Sequence, residues 1–99
     1  MAIQLHHSIA AHPGGFVRRN FIEDRSIAIV KLADHIKVSR VNVSRVLNER
    51  ARMTADMALR LEGALGVNAG TLLRMQARWD EKVAREAAPR EIEPMEEMA

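Results

Sequence analysis

Apolar positions recur at helical spacing along most of this chain. Phe16, Val17, Phe21 and Ile22 follow Pro13-Gly14-Gly15, a break after which a first helix can start. Ile29, Leu32, Ala33 and Ile36 fall at i, i+3, i+4 and i+7 and predict a second helix over about 28–36. A three-residue turn, Ile36 to Val38, precedes a third helix, Arg40 to Asn48. Ser39 stands at its N-cap, where a hydroxyl accepts from the free N–H groups of the first turn. Thr54 caps a fourth helix with the stripe Met57, Ala58, Leu61, Ala64 and Leu65, and Asp56 suits the positive end of its dipole. Gly66 sits where a C′ glycine ends a helix. Asn68 caps a fifth helix, on which Leu72, Met75, Gln76, Trp79 and Val83 share one side, and Pro89 ends it. No stretch alternates as a strand does. The pattern predicts an all-α protein in three parts: a flexible segment over 1–12, a five-helix domain over 13–88 and a disordered tail over 89–99.

Composition agrees. The chain has 99 residues, the length of one small domain, and 47% are hydrophobic but only 3% aromatic. A core of Ala, Val, Ile, Leu and Met suits packed helices better than a β-sandwich. There is no cysteine, so disulfides and cysteine-based zinc sites are excluded. No apolar run reaches the roughly 20 residues that cross a bilayer, and the start lacks the marks of a signal peptide. A cytoplasmic protein with no membrane partner is expected.

The net charge of +2 hides an asymmetry. Residues 89–99 carry Arg90 against Glu91, Glu93, Glu96 and Glu97, a net of −3, which leaves +5 on residues 1–88. Between Lys37 and Arg52 stand five basic residues and only one acid, Glu49. Such a cluster is either a solvated charged face or a nucleic-acid footprint.

The stretch VSRVNVSRV, residues 38–46, repeats itself, and helical geometry shows what the echo does. A step of five residues turns a helix by roughly 140°, so the two copies cannot share a face. Val43, Val46 and Leu47 form one apolar arc. Arg40, Val41, Asn42, Ser44, Arg45 and Asn48 fill the polar arc, with an arginine near each edge. Arginine presents a fork of donors that matches O6 and N7 of guanine, and an exposed valine can meet a thymine methyl. Short helix, tight turn and basic second helix together read as a helix-turn-helix, whose second helix enters the major groove. The residues assigned to DNA are Lys37, Ser39, Arg40, Val41, Asn42, Ser44, Arg45, Asn48 and Arg50. One such unit reads few base pairs. A homodimer on a palindromic operator is expected, its recognition helices about 34 Å apart, with Leu72, Trp79 and Val83 at the dimer contact.

Five stretches carry a resemblance: His12-Pro13-Gly14, Val43-Ser44-Arg45-Val46-Leu47-Asn48-Glu49-Arg50, Thr54-Ala55-Asp56-Met57-Ala58-Leu59-Arg60-Leu61, Ala64-Leu65-Gly66-Val67 and Leu72-Leu73-Arg74-Met75-Gln76. In order and spacing, over about residues 12–80, they resemble the HigA-type antitoxins, or virulence-associated protein I group, of the lambda-repressor-like (Xre) helix-turn-helix proteins. The chain departs from that pattern in places. Ile29 replaces a glutamine that often contacts phosphate, and Ala28 replaces a serine cap. Lys37 and Glu49 each replace a glycine, and Gly15 replaces an acid. Lys37 thereby takes a position that often needs φ > 0, at some cost. The resemblance implies a five-helix lambda-repressor-like fold. It also implies a repressor of its own operon and a second partner, a HigB/RelE-like ribonuclease toxin that it neutralises. A stand-alone repressor of the same fold and a protein-interaction module with a basic face remain the alternatives.

Other constellations carry less. His6, His7 and His12 lie in an irregular segment without metal-ligand spacing, and a mobile start describes them better than a metal site. No catalytic triad order, phosphate loop or paired carboxylate is present, so neither an enzyme nor a cofactor is expected. Trp79 is either a core residue or a dimer contact. The acidic tail either docks on a basic toxin or keeps a basic domain soluble.

Overall fold

The computed structural model describes residues 10–88 and 90–96. We number its helices in chain order. Helix α1 spans Pro13–Val17 and runs on as a π-helical segment, Arg18–Glu23. Then come α2 (Ile29–Ile36), α3 (Arg40–Leu47), α4 (Ala55–Leu65) and α5 (Ala69–Glu86). No strand occurs among the described residues.

Three starts are capped as their sequences dictate. Ser39 Oγ accepts from the Asn42 N–H at 3.1 Å, Thr54 Oγ1 from Met57 at 3.1 Å and Asn68 Oδ1 from Thr71 at 2.8 Å. Gly66 ends α4 at φ 81°. Helix α1 departs from expectation. Pro13-Gly14-Gly15 is its first turn rather than a break before it. Proline suits the first helical position because the N–H it lacks has no partner there. His12 supplies the cap: its Nδ1 accepts from the Gly14 N–H at 2.9 Å.

The core is aliphatic. Val17 and Ile22 meet Leu32 and Ile36 of α2, Val43, Val46 and Leu47 of α3, Met57, Leu61 and Leu65 of α4, and Leu72 of α5. Leu72 is 0% exposed and belongs wholly to its own chain, which corrects its assignment to a dimer contact. Helix α5 leaves the core after its first half. Its buried residues are Ala69, Leu72 and Gln76, whereas Trp79 is half-buried and Val83 exposed.

Polar side chains, of which Gln76 is buried, join the helices. Gln76 Oε1 accepts from the Met53 N–H at 2.6 Å while its Nε2 donates to Asp80 at 2.9 Å. Asp80 also pairs with Arg52 at 2.9 Å. Gln76 and Arg52 hold the Asp80 carboxyl below the ordinary carboxylate range. Arg60 spans α4 to α2, its guanidinium on Asp56 and on the Ile36 carbonyl at 2.6 Å. Residues 90–96 are exposed and carry neither helix nor strand. The rest of the expected tail (Pro89 and 97–99), and His6 and His7 with the start of the expected N-terminal segment, lie outside the described residues.

His12 is buried. It is 4% exposed, with its ring edge-on to Trp79 at 5.4 Å. Because Nδ1 accepts from a backbone N–H, the neutral imidazole carries its proton on Nε2. Burial pulls its pKa below 6.5, against the opposing pull of Glu49, the Ala51 backbone and Asp80. The unfolded chain therefore takes up the proton first as pH falls. Stability from neutral His12 is complete above about 6.5 and is lost as pH drops through the lowered value. Denaturant titrations between about pH 7.5 and 5 should show wild type losing more stability than His12→Asn, which keeps an acceptor but does not titrate. Equal losses would remove His12 as the cause.

Candidate nucleic-acid interface

The short turn between α2 and α3 fixes their relative pose. Lys37 ends α2 in the left-handed region, φ 61° and ψ 45°, and its N–H returns to carbonyls of the last turn. A non-glycine residue there costs roughly 1 kcal/mol. Glu49, just past α3, is left-handed too, at φ 63°.

Helix α3 turns Val43, Val46 and Leu47 into the core and leaves Arg40, Val41, Asn42, Arg45 and Asn48 exposed, with Ser44 half-buried. Side chains on this face are partly committed. Asn48 Nδ2 donates to Ser44 Oγ at 3.1 Å, and Arg45 donates to the Arg50 carbonyl at 3.2 Å. Lys37, Ser39 and Arg40 border one shallow cleft beside the turn, with Val30 and Asp34. Ile29, Arg40, Val41, Ser44 and Arg45 border a second. Asn48 lies beyond both clefts, at the other end of α3.

Cations are grouped on this face. Arg18 pairs with Glu23, Arg19 with Glu49, Arg52 with Asp80, Arg60 with Asp56, Lys82 with Glu86 and Arg85 with Glu81. Lys37, Arg40, Arg45 and Arg50 are exposed and enter no ion pair among the described residues. Four free cations on one short helix and its flanks offer ready partners for phosphates and base edges.

Helix α1 braces the far end of α3. A Cβ on Gly14 would collide with the Val46 carbonyl oxygen, so only glycine lets the two helices approach this closely. A Cβ on Gly15 would meet the Glu49 carboxylate. Arg18 donates to Asn48 Oδ1 at 3.0 Å. Sequence reading missed Arg18, because its partner lies 30 positions away and no periodicity links them. It also did not bring Ile29 beside Val41 and Ser44, where the second cleft has it. The dimer residues are scattered: Leu72 inside, Trp79 held between His12 and Lys82, Val83 47% exposed.

Two short helices, a left-handed turn and a cationic outer face define a helix-turn-helix protein of the all-α, lambda-repressor-like kind. The chain is 32% identical over 77 residues to virulence-associated protein I of Dichelobacter nodosus, across 78% of this chain and 71% of that one. Pseudomonas aeruginosa antitoxin HigA, solved with the higBA promoter, is 30% identical with a TM-score of 0.79, covering 88% of this chain and 99% of its own. Antitoxin GraA is 31% identical with a TM-score of 0.74, covering 78% and 83%. No protein-family model matches the sequence. The chain belongs to the family of virulence-associated protein I and the HigA-type antitoxins.

Against that family's pattern, positions 15 and 49 have exchanged their acid and their glycine. The Glu49 carboxylate fills the space beside Gly15, where a side chain would stand, and faces Arg19 at 4.0 Å. The two positions should therefore be coupled. Gly15→Glu alone should destabilise by about 1–2 kcal/mol through overpacking and like charge. Gly15→Glu with Glu49→Gly should recover most of that loss, a coupling on the order of 1 kcal/mol in a double-mutant cycle of denaturant melts. Additive losses would mean that the exchange has no structural basis.

Proposed function

We propose that this chain is the antitoxin of a type II toxin–antitoxin pair. It binds a palindromic operator as a homodimer, represses its own operon and neutralises a HigB/RelE-like ribonuclease. The observation that carries the DNA-reading half is the set of unpaired cations, Lys37, Arg40, Arg45 and Arg50, around a helix whose other side is locked into the core. Family membership supports the toxin half. The reading is of a binding protein rather than an enzyme, acting in the cytoplasm where its operator is. No helix among the described residues is long and apolar enough to cross a membrane.

In this reading Arg40 and Arg45 enter the major groove, and Lys37, Arg50 and the N-terminal turn of α3 at Ser39 and Asn42 face phosphates. Two copies join through the second half of α5, where Val83 and the outer side of Trp79 are available. Leu72 contributes only by anchoring that helix.

The test combines the two halves. Arg40→Ala and Arg45→Ala should each weaken binding to the promoter region of the chain's own gene by about 1–3 kcal/mol, read from footprint titrations at fixed salt. Both variants should still co-purify with the product of the neighbouring gene and protect cells from it. Footprints unchanged in both variants would remove α3 as the reading helix. Failure of the wild-type chain to bind or neutralise its neighbour's product would leave a stand-alone repressor.

The assembly is tested separately at Val83, which is exposed and so open to substitution without harm to the core. Val83→Glu should shift the protein from dimer to monomer by light scattering at micromolar concentration, with a thermal melt that stays cooperative but no longer depends on protein concentration. A dimer that persists would place the two-fold contact elsewhere.

A further inference from the structure

The cleft between the start of α2 and the outer face of α3, about 340 Å³, has walls of two kinds. Ile29 and Val41 make an apolar wall, Ser44 lies beside it, and Arg40 and Arg45 flank it. Ile29 packs partly on the core, which holds it in place, whereas Val41 is 64% exposed and contributes nothing to the core. No acidic residue lines the cleft.

One of the two lone pairs of Ser44 Oγ is occupied through a bond set from a distance. Arg18 is a donor only, so Asn48 must turn Oδ1 toward it, at 3.0 Å. Asn48 Nδ2 then points at Ser44 Oγ, which accepts at 3.1 Å. The Ser44 hydroxyl proton has no acceptor among the described residues and is left to donate outward. The cleft thus sets the Ser44 donor beside an apolar wall, with the arginine donors at its flanks.

One base edge in the major groove matches that pair. Thymine presents the O4 acceptor next to its 5-methyl group, whereas cytosine presents the N4 amino donor and no methyl. Cytosine would offer no methyl to Ile29 and Val41. Its amino donor would share Ser44 Oγ with the Asn48 Nδ2 already held there, while the hydroxyl proton is left without an acceptor. Resting on the proposed DNA-reading function, we propose that Ile29, Val41 and Ser44 form a thymine-reading pocket, and that each operator half-site carries a thymine there. Val41 and Ile29 take the 5-methyl, and Ser44 donates to O4. Arg18, through Asn48, is a positioning residue that fills one Ser44 lone pair and so favours the hydroxyl as a donor. The flanking arginines favour a nucleic acid over an apolar peptide as the occupant.

The experiment uses the full chain and the footprinted promoter region of its own gene. Each thymine in the footprint is replaced in turn by deoxyuridine, which removes only the methyl group, and by cytosine. Burying one methyl predicts that a single thymine per half-site loses about three- to fivefold in affinity as deoxyuridine. Cytosine at that position should lose more. Val41→Ala should weaken binding to the thymine duplex and flatten the thymine–deoxyuridine difference. Ser44→Ala should keep that difference but narrow the preference for deoxyuridine over cytosine. Arg18→Met should act as Ser44→Ala does, a base-specific readout that loss of packing alone would not give. Thermal melts confirm that each variant is folded. Duplexes bound equally well with thymine or deoxyuridine at every position would overturn the pocket and leave the DNA-reading function intact. So would a deoxyuridine effect that survives both Val41→Ala and Ile29→Ala. A promoter region with no footprint at all would overturn the function itself, and the pocket with it.

Discussion

The close approach of α1 to the end of α3 is the constraint on which the presentation of the recognition face depends. Gly14 lies against the Val46 carbonyl with no room for a side chain. His12 caps the same turn from inside the domain, under the edge of Trp79. Arg18, further along the same helix, reaches Asn48 at the end of α3. A helix of eight residues has little stability of its own. Its pose comes from what it packs on, and here that is a seam made of glycine, a buried imidazole and one arginine.

Charge is arranged around that seam by subtraction. Carboxylates engage Arg18, Arg19, Arg52, Arg60, Lys82 and Arg85, while α3 and its flanks keep Lys37, Arg40, Arg45 and Arg50 free. Exposed ion pairs contribute little to stability, about 0–1 kcal/mol each. Their effect on the surface field is larger than their effect on folding, because each paired cation stops competing for an anionic partner. Glu49 illustrates this. It is the one acid in the basic stretch Lys37–Arg52, yet it turns toward Arg19 on α1 and away from the α3 face. The Gln76–Asp80–Arg52 chain does the same for Arg52 and ties the α3–α4 loop to α5.

Most of the fold was legible in the sequence, for local reasons. The Ser39, Thr54 and Asn68 caps, the Gly66 terminus and the apolar stripes act within one or two turns, and the structure agrees with each. The turn at Lys37 was legible through resemblance: a glycine position filled by lysine keeps the glycine's φ. What could not be read was non-local. Pro13-Gly14-Gly15 reads as a break because its helical role depends on a cap from His12 and on a carbonyl more than thirty residues away. Leu72 and Trp79 share one side of α5, and no periodicity tells that the first is sealed by α4 while the second meets a histidine. The polar arc of α3 was legible as a face. The bond from Arg18 that orients Asn48 on that face was not, since it comes from another helix.

That bond bears on how a surface with few free groups can be selective. In the proposed reading, isoleucine at position 29, where the resemblance has a polar side chain, gives up one contact to the DNA backbone and adds an apolar wall next to Val41. A backbone contact strengthens binding to every sequence alike, whereas a methyl-sized apolar wall beside a donor discriminates between base edges. On that reading the substitution exchanges general affinity for selectivity on the same square of surface. It does so best while Asn48 Nδ2 fills one Ser44 lone pair, an arrangement held by an arginine on another helix. Recognition on α3 and the brace on α1 are thus one structural unit.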